Sequence, residues 1–499
     1  MDPKVITSKK NKPLLIKDGY CYHHHSYNKD KSRIYWRCEN RSTCNARCIT
    51  NVDLQNIIIY KINLAAHLHP PDGAAMQAKE VVQRIKQKAS ESPNEAPDEV
   101  MRQGMEGVVN EEILVKMPDR QNIKRMINLQ QNRNRLVVPR SILDVNINHP
   151  YNVTKSNEQF LLYDSGRENS DRLLIFSTGN NMRLLAASDI ILSDGTFKSV
   201  PPQFMQLYTV HGIYMGHVFP MVYALSTNKT QVTYETLYRE LKNFSTRNNF
   251  ELHPRSAVCD LEIANINALR NSFDNVQTNG CLFHFGQALW RKIVNLGLRE
   301  QYLNYEEPTV RNNLLELLGL PFVPIEDLLH TFDELMDDLD ELVVEFATYM
   351  ETVYIRGRPG RGRRRATPPL FTPDIWNVYQ LVLDGRQRTN NSVEGFHSKL
   401  GKVVVAHHAN IWRFLENIKK IQAETEHAIT QITGGHSRYR APVAKTYIMN
   451  QERVENIVRH YNEYKENGRI KQYLRAISYH LKLHCNPQNP EDVICFFFK

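Results

Sequence analysis

At 499 residues the chain has room for about three domains and at least one sizeable core. Its 63 Lys and Arg exceed its 54 Asp and Glu, and the net charge of +9 suits a polyanionic partner without bearing on fold. The opening MDPKVITSKK lacks the apolar stretch of a signal peptide, and no run approaches the ~18 apolar residues of a membrane span, so an intracellular, soluble protein is expected.

The charge is uneven, because residues 1–73 hold 12 Lys and Arg against 6 Asp and Glu. Four of the eight cysteines lie between 21 and 48, which points to a local metal site and not a disulfide framework. Across 13–69, aromatic and alternating stretches (Gly19-Tyr20-Cys21-Tyr22, Ile34 to Cys38, Asn56 to Ile62) separated by polar turns predict a small antiparallel sheet. Within it, Cys38-x5-Cys44-x22-His67-x-His69 supplies the two thiolates and two imidazoles that zinc takes tetrahedrally. Cys21, Cys48 and His23 to His25 are rival ligands. Leu14/Leu15, Gly19-Tyr20, Trp36-x-Cys38, Cys44-x-Ala46-Arg47 and His67-x-His69 resemble a FLYWCH-type zinc finger along its whole length. The resemblance implies a zinc-stapled sheet that presents a strand edge to DNA, with Lys29, Lys31, Arg33, Arg37, Arg41 and Arg47 available, mostly for phosphate.

Residues 70–140 read as a basic helix from Gln77 to Lys88, a loop from Ser90 to Glu99, and two further helices over Val108 to Lys116 and Asp119 to Arg133. Three such helices are either a helix-turn-helix-like second DNA contact or a solvated spacer. From 158 to 300 apolar strand-like runs recur: Phe160 to Tyr163, Leu173 to Phe176, Ile190 to Leu192, Met205 to His211, Val218 to Leu225 and Ala257 to Cys259. A helix over Val232 to Phe244, opened by Thr230, precedes the last of them. That order is found in the ribonuclease-H-like fold, whose first and fourth strands lie side by side. Asp194, where the chain is expected to turn at Gly195, and Asp260 would then face each other at the strand ends. Cys281-x-x-His284 sits on a strand-to-helix step, either as a pair of metal ligands or as a packed thiol and a hydrogen-bonded imidazole.

Residues 324–352 carry ten Asp and Glu and no Lys or Arg. Apolar residues from Leu328 to Phe346 at three- and four-residue steps predict one amphipathic helix whose acids face solvent or a protein. The charge then reverses: 356–365 holds six Arg and four Gly or Pro, a flexible cationic loop with Arg356, Arg358, Arg361 and Arg363 as DNA contacts. Arg356-Gly357-Arg358-Pro359 is similar to the core of an AT-hook; a generic phosphate contact or an import signal is the plainer reading. Glu394 falls in the first turn of a helix from Val393 to Val405, capped by Asn391 or Ser392; a second helix covers Ile411 to Ala423, and 426–499 reads as basic and helical.

Three carboxylates crowded together repel one another unless a cation is present. Hard Mg2+ or Mn2+ takes oxygen ligands, and a pair of such ions serves in-line phosphodiester chemistry. Ser193-Asp194-Gly195-Thr196-Phe197, Cys259-Asp260 followed by a helix, Cys281-x-x-His284 and Thr389-Asn390-Asn391-x-x-Glu394-x-x-His397 occur in the order seen in Mutator-like element (MULE) transposases, and the resemblance spans roughly 185–425. It implies a DDE triad of Asp194, Asp260 and Glu394, with Asp194 bridging two Mg2+ or Mn2+ ions, Asp260 holding one and Glu394 the other. The implied protein is a nuclear enzyme that cuts and transfers DNA strands at transposon ends or terminal inverted repeats, as a homo-oligomer and away from membranes. The alternative is a host zinc-finger regulator derived from such a transposase and without activity.

The expected architecture is α/β: a ribonuclease-H-like core with a helical insertion, plus a small β-rich zinc-finger domain. The finger spans 1–73, a helical linker 74–150, the core 151–300 and 381–425, the acidic insertion and Arg-rich loop 301–380, and a C-terminal helical region 426–499.

Overall fold

A computed structural model describes residues 2–7, 12–134, 136–197, 200–360, 365–404, 410–436, 445–481, 483–486 and 489–495. The chain divides into two compact units, Met1–Val137 and Val138–Lys499. Among the described residues no helix is long and apolar enough to cross a membrane.

The first unit opens with a six-stranded antiparallel sheet in chain order: β1 (Lys4–Thr7), β2 (Pro13–Lys17), β3 (Tyr20–Tyr27), β4 (Arg33–Cys38), β5 (Arg47–Asn51) and β6 (Ile59–Ile62). Alternation puts Ile34, Trp36 and Cys38 inward along β4 and leaves Arg33, Tyr35 and Arg37 on the other face. Leu15, Tyr22, Ile34, Trp36 and Cys48 form the small core, where the Trp36 indole donates to Thr50 Oγ1 at 2.8 Å. Helix α1 (Gly73–Glu91) begins at Asp72, whose carboxylate accepts from Ala75 N. Its Met76 packs on Leu14, Ile16 and Cys21, and its Val81 and Ile85 pack on Val100, Ile123 and Ile127. Those three belong to α2 (Pro97–Gly104) and α4 (Arg120–Asn134), with α3 (Glu111–Lys116) between them. Helix α2 lies partly in the stretch expected to be a loop. Proline at its first position needs no N–H partner there, and Asp98 and Glu99 sit in the first turn, so the Pro that suggested a break in fact starts a helix.

The second unit is built on a seven-stranded mixed sheet. Its strands are β7 (Leu161–Asp164), β8 (Leu173–Phe176), β9 (Ile190–Thr196), β10 (Gln206–Tyr214), β11 (His217–Ser226), β12 (Ser256–Cys259) and β13 (Gln277–Gly280). They run in the order β13-β12-β9-β10-β11-β8-β7. Only the β13–β12 and β12–β9 pairs are parallel. A helix that went unrecognised in the sequence, α5 (Gly179–Ala186), precedes β9 and is capped by Thr178; α6 (Gln231–Arg247) is capped by Thr230 as expected. Then come α7 (Ile263–Ser272) and α8 (Leu282–Asn295). One face of the sheet is covered by Leu237, Tyr238 and Leu241 of α6 and by Leu289 and Ile293 of α8. The other takes Leu174, Phe176, Leu207 and Leu225. They pack against α15 (Asn391–Val404) and α16 (Ile411–Thr433) through Phe396, Leu400, Trp412 and Leu415.

Between these core segments lie α9 (Arg299–Leu303), α10 (Thr309–Leu318), α11 (Ile325–Asp337), α12 (Val344–Met350), α13 (Pro373–Trp376) and α14 (Tyr379–Leu383). The single acidic helix expected here is broken: α11 stops at Asp337, and Asp340 caps a short 3-10 turn by accepting from Leu342 N. Most of its acids are exposed as expected, but two of them are also paired within the unit. Asp327 holds Lys465 at 2.6 Å and the Tyr461 hydroxyl at 2.9 Å, and Asp338 holds Lys471 at 2.8 Å. These partners come from α18 (Tyr461–Glu466) and α19 (Ile470–His480), which follow α17 (Lys445–Arg459). Two ion pairs thus tie the acidic insertion to the basic C-terminal helices inside one unit. The chain continues into β14 (Leu483–Asn486) and β15 (Asn489–Cys495), an antiparallel pair where only helix was expected.

The cationic loop is also more ordered than expected where it is described. Arg356 is held by Asp333 at 2.6 Å and Glu351 at 2.9 Å, and the Arg358 backbone exchanges both hydrogen bonds with Thr367. Arg356 is in the right-handed helical region and Gly357 has φ +81°, so Arg356-Gly357-Arg358 is not the continuous extended strand of an AT-hook. A Cβ there would meet the Thr367 carbonyl oxygen at 2.1 Å. Gly357→Ala should therefore lower stability by about 2–4 kcal/mol, read as a shift in the denaturation midpoint. Arg361 and Arg363 lie outside the described residues.

Candidate metal and nucleic-acid sites

In the first unit, Cys38 ends β4, Cys44 sits in the following loop, and His67 and His69 follow β6. Their ligand atoms lie within 4.8 Å of one another. Cys38 Sγ is 3.2 Å from His69 Nε2, and Cys44 Sγ is 3.3 Å from His67 Nδ1. The remaining imidazole nitrogens point away to fixed partners: His67 Nε2 meets the Tyr22 hydroxyl at 2.9 Å, and His69 Nδ1 meets the Pro70 carbonyl at 3.1 Å. Tyr20 stacks on His67 with ring centroids 3.6 Å apart. Such outer contacts set ring orientation and the coordinating nitrogen, so the donor set and its surroundings fit a structural zinc. The rival cysteines are elsewhere. Cys48 is in the sheet core and Cys21 packs on Met76, and neither joins the Cys38, Cys44, His67 and His69 cluster; burial pushes the Cys48 thiol up to about 11 and the Cys21 thiol up to about 12.

The basic candidates of this unit form two groups. Lys29, Lys31 and Arg33 cluster at the β3–β4 turn, all exposed, with Arg33 over the Tyr60 ring at 4.7 Å. Arg37 and Arg47 stand directly opposite each other on β4 and β5, and Arg41 lies in the Cys44 loop. At ~3.3 Å per residue, Arg33 and Arg37 are roughly 13 Å apart along β4.

In the second unit, Asp194 belongs to the interior of β9. Gly195 and Thr196 do not turn the chain; they continue the ladder opposite Tyr208 and Leu207 of β10. Leu192 of β9 pairs with Val258 of β12 in parallel register, so Asp194 and Asp260, each two residues farther on, come level on one face. Helix α15 enters at the same corner. The Asn390 side chain donates to the Ser193 carbonyl at 2.9 Å, and the Asn390 N–H donates to Cys281 Sγ at 3.2 Å. Val393 then packs on Leu192, Val258 and Cys281, which fixes the first turn carrying Glu394. Asn390, not Asn391 or Ser392, precedes the helix, and its carbonyl accepts from Val393 N and Glu394 N.

His284 stands between the acids. Its Nδ1 is 2.7 Å from Asp260 Oδ1, in charge contact though outside hydrogen-bond alignment, and its Nε2 is 3.9 Å from Glu394 Oε1. Ligand atoms of Asp194, Asp260 and His284 lie within 4.8 Å of one another, as do those of Cys281, His284 and Glu394. Glu394 therefore joins the two aspartates through His284, while Cys281 is a buried packing residue that accepts a backbone hydrogen bond. Burial and the Asp194 charge push the Asp260 carboxyl up to about 7. Burial also works against ionisation of Asp194, but contacts with His397 and Asp260 outweigh it and hold that carboxyl below its ordinary range. Burial would lower His284, yet the Asp260 charge wins and raises it well above the usual imidazole value. Asp194 and Asp260, with a recessed Asp260 oxygen lacking an aligned donor, offer hard oxygen donors that fit a divalent cation, and Glu394 reaches the pair through His284.

Sequence reading gave His397 no role. Its Nδ1 is 3.2 Å from Asp194 Oδ2, one helical turn beyond Glu394. Three-residue spacing on a helix was the available signal, since i and i+3 share a face.

A family profile described as the MULE transposase domain matches residues 190–288, and one described as the FLYWCH zinc finger domain matches 5–69. The chain carries a FLYWCH zinc finger domain and a MULE transposase domain. The MULE match includes Asp194, Asp260, Cys281 and His284 and stops short of Glu394; the FLYWCH match includes all four Cys and His ligands. No curated protein matches the chain. Among solved structures, a chain of the Drosophila P element transposase strand transfer complex is 11% identical, with 79% of this chain and 91% of that chain covered. Its TM-score of 0.23 is too low for the likeness to bear on fold or function.

Proposed function

We propose that the chain is a DDE-type transposase that cuts DNA strands and transfers the cut ends, with the FLYWCH unit as its DNA-holding module. The observation that carries the reading is the parallel β9–β12 register, which sets Asp194 beside Asp260 where α15 delivers Glu394. Three antiparallel strands followed by two parallel ones, in the order β13-β12-β9-β10-β11, support a ribonuclease-H-like core. Asp194, Asp260 and Glu394 would hold Mg2+ or Mn2+, which when bound supplies an activated nucleophile and a stabilised leaving oxygen. Before metal enters, His284 compensates Asp260 and Glu394, keeping the acids close at a bearable electrostatic cost. Zinc at Cys38, Cys44, His67 and His69 would set the finger, whose basic residues meet phosphate and position the DNA. Arg356, already committed to Asp333 and Glu351, is the weakest of the DNA candidates. Action on transposon ends, as a nuclear homo-oligomer, completes the reading.

The test is cleavage and joining of labelled DNA ends with Mg2+ or Mn2+ by wild type and by Asp194→Ala, Asp260→Ala and Glu394→Ala. Each variant should lose activity by about 10^3-fold or more, since ligand loss removes several kcal/mol of transition-state stabilisation. Three variants as active as wild type would overturn the triad. Tight DNA binding with no cleavage by wild type would instead mark a transposase-derived regulator.

A further inference from the structure

Behind Asp194 runs a buried chain of polar side chains that the reaction itself does not require. Thr209 of β10 is the residue paired with Asp194 across the sheet, and His211 lies two residues farther on the same face. Thr209 and His211 are fully buried and Asp194 nearly so. Thr209 Oγ1 is 2.9 Å from His397 Nε2 and 3.0 Å from His211 Nε2, and His397 Nδ1 reaches Asp194 Oδ2 at 3.2 Å. Two antiparallel strands and helix α15 therefore meet at one hydroxyl.

A threonine hydroxyl has one proton to give and two lone pairs to offer, and a neutral imidazole has one N–H and one bare nitrogen. In the neutral ring His397 Nδ1, facing a carboxylate, carries the proton, which leaves Nε2 bare to accept from Thr209. With its proton on His397 Nε2 at 2.9 Å and not on the Asp194 carbonyl oxygen at 3.5 Å, Thr209 meets His211 Nε2 as an acceptor, so that nitrogen carries N–H. The order is then unidirectional: His211 Nε2–H to Thr209, Thr209 O–H to His397 Nε2, His397 Nδ1–H to Asp194. The ring cannot rotate or change tautomer without leaving a buried donor or acceptor unmet, at a cost of about 1–3 kcal/mol.

We propose that Thr209 and His211 are positioning residues that act through His397 to hold the Asp194 carboxylate for a divalent cation, although neither touches that carboxylate with its side chain. The proposal rests on reading Asp194 as a metal ligand. Partners of this kind set ligand orientation, and their loss weakens metal binding about 10–100-fold. The arrangement also gives His397 a task distinct from that of His284, which faces Asp260 and Glu394 from the opposite element, α8.

The test measures Mn2+ affinity of the full-length protein from the free-ion electron paramagnetic resonance signal, with no DNA present. Thr209→Val keeps the shape and removes the hydroxyl; it should bind Mn2+ about 10–100-fold more weakly, and Thr209→Ser should restore most of the affinity. His211→Phe, placed against Phe396, removes the donor to Thr209 and should weaken binding in the same direction; it decides the matter by itself should Thr209→Val fail to fold. Unchanged Mn2+ affinity in Thr209→Val or His211→Phe overturns the positioning role, while a loss in Asp194→Ala alongside it leaves the triad standing. Wild type without any Mn2+ binding that depends on Asp194 overturns both.

Discussion

Replacing Cys38 by Ser should remove one zinc per chain and unfold the β1–β6 sheet, while the 138–499 unit keeps its hydrogen-exchange protection. The reason is the size of the core. Beyond Leu15, Tyr22, Ile34, Trp36 and Cys48 the sheet has few fully buried apolar groups, and each contributes only about 1.5–3 kcal/mol. Ordering some sixty residues costs far more, at about 1–2 kcal/mol per residue for the backbone alone. An apparent zinc-binding energy of about 10–16 kcal/mol is as large as the net stability of a whole ordinary domain. His67 and His69 also lie beyond the last strand, tied down by the Tyr20 ring, the Tyr22 hydroxyl and the ligand set itself. Zinc content by mass spectrometry and amide exchange over 12–69 read the outcome. Full protection of that segment in Cys38→Ser, or in wild type with a chelator, would show that the sheet holds without metal.

What was legible in the sequence was chemistry carried by spacing. The Cys38, Cys44, His67 and His69 set, the strand runs around Leu173, Ile190 and Ala257, and the cap at Thr230 all depend on near neighbours. What was not legible depends on partners far along the chain. Gly195 reads as a turn because glycine usually marks one, but here β10 supplies ladder partners, and the missing Cβ leaves room for Gln206 at 3.0 Å. The acidic run from Leu328 to Phe346 has unbroken helical periodicity, and the break depends on Asp340 choosing to cap Leu342. Its charge density suggested solvent or a protein partner, and most of its acids are exposed; the pairing of Asp327 and Asp338 with Lys465 and Lys471 was hidden because those lysines lie over a hundred residues away. The role of His284 was hidden for the same reason: a Cys-x-x-His pair looks like two metal ligands or two packed residues, and only the fold sends one into the core and the other among the acids.

Asp260→Asn should make the metal-free protein more stable at pH 8 and abolish the proposed strand cleavage. Burial and the neighbouring Asp194 charge raise the Asp260 carboxyl to about 7, against an ordinary 3.8. Between those values the folded chain binds a proton that the unfolded chain has released, so stability falls as pH rises through the window, and the deficit is complete above it. His284 moves upward because of the same Asp260 charge, so the substitution also removes its counter-charge and keeps the net relief small. Asparagine keeps the shape and removes the charge. Relief on the order of 1–2 kcal/mol at pH 8, fading toward pH 4, corresponds to a rise of about 2–6 °C in the transition that responds to metal. Mn2+ reverses the ranking. At about a hundred times its dissociation constant a bound ion adds about 2.7 kcal/mol to wild type, and the variant, lacking a ligand, should gain little. A site kept for stability would show the opposite pattern: Asp260→Asn would melt lower at every pH, and Mn2+ would shift both proteins alike. Destabilisation by the variant at pH 8 would therefore return Asp260 to the role of a structural partner for His284. The expected rise, together with loss of strand cleavage by about 10^3-fold or more, would mark a carboxylate that the fold tolerates for the sake of a cation.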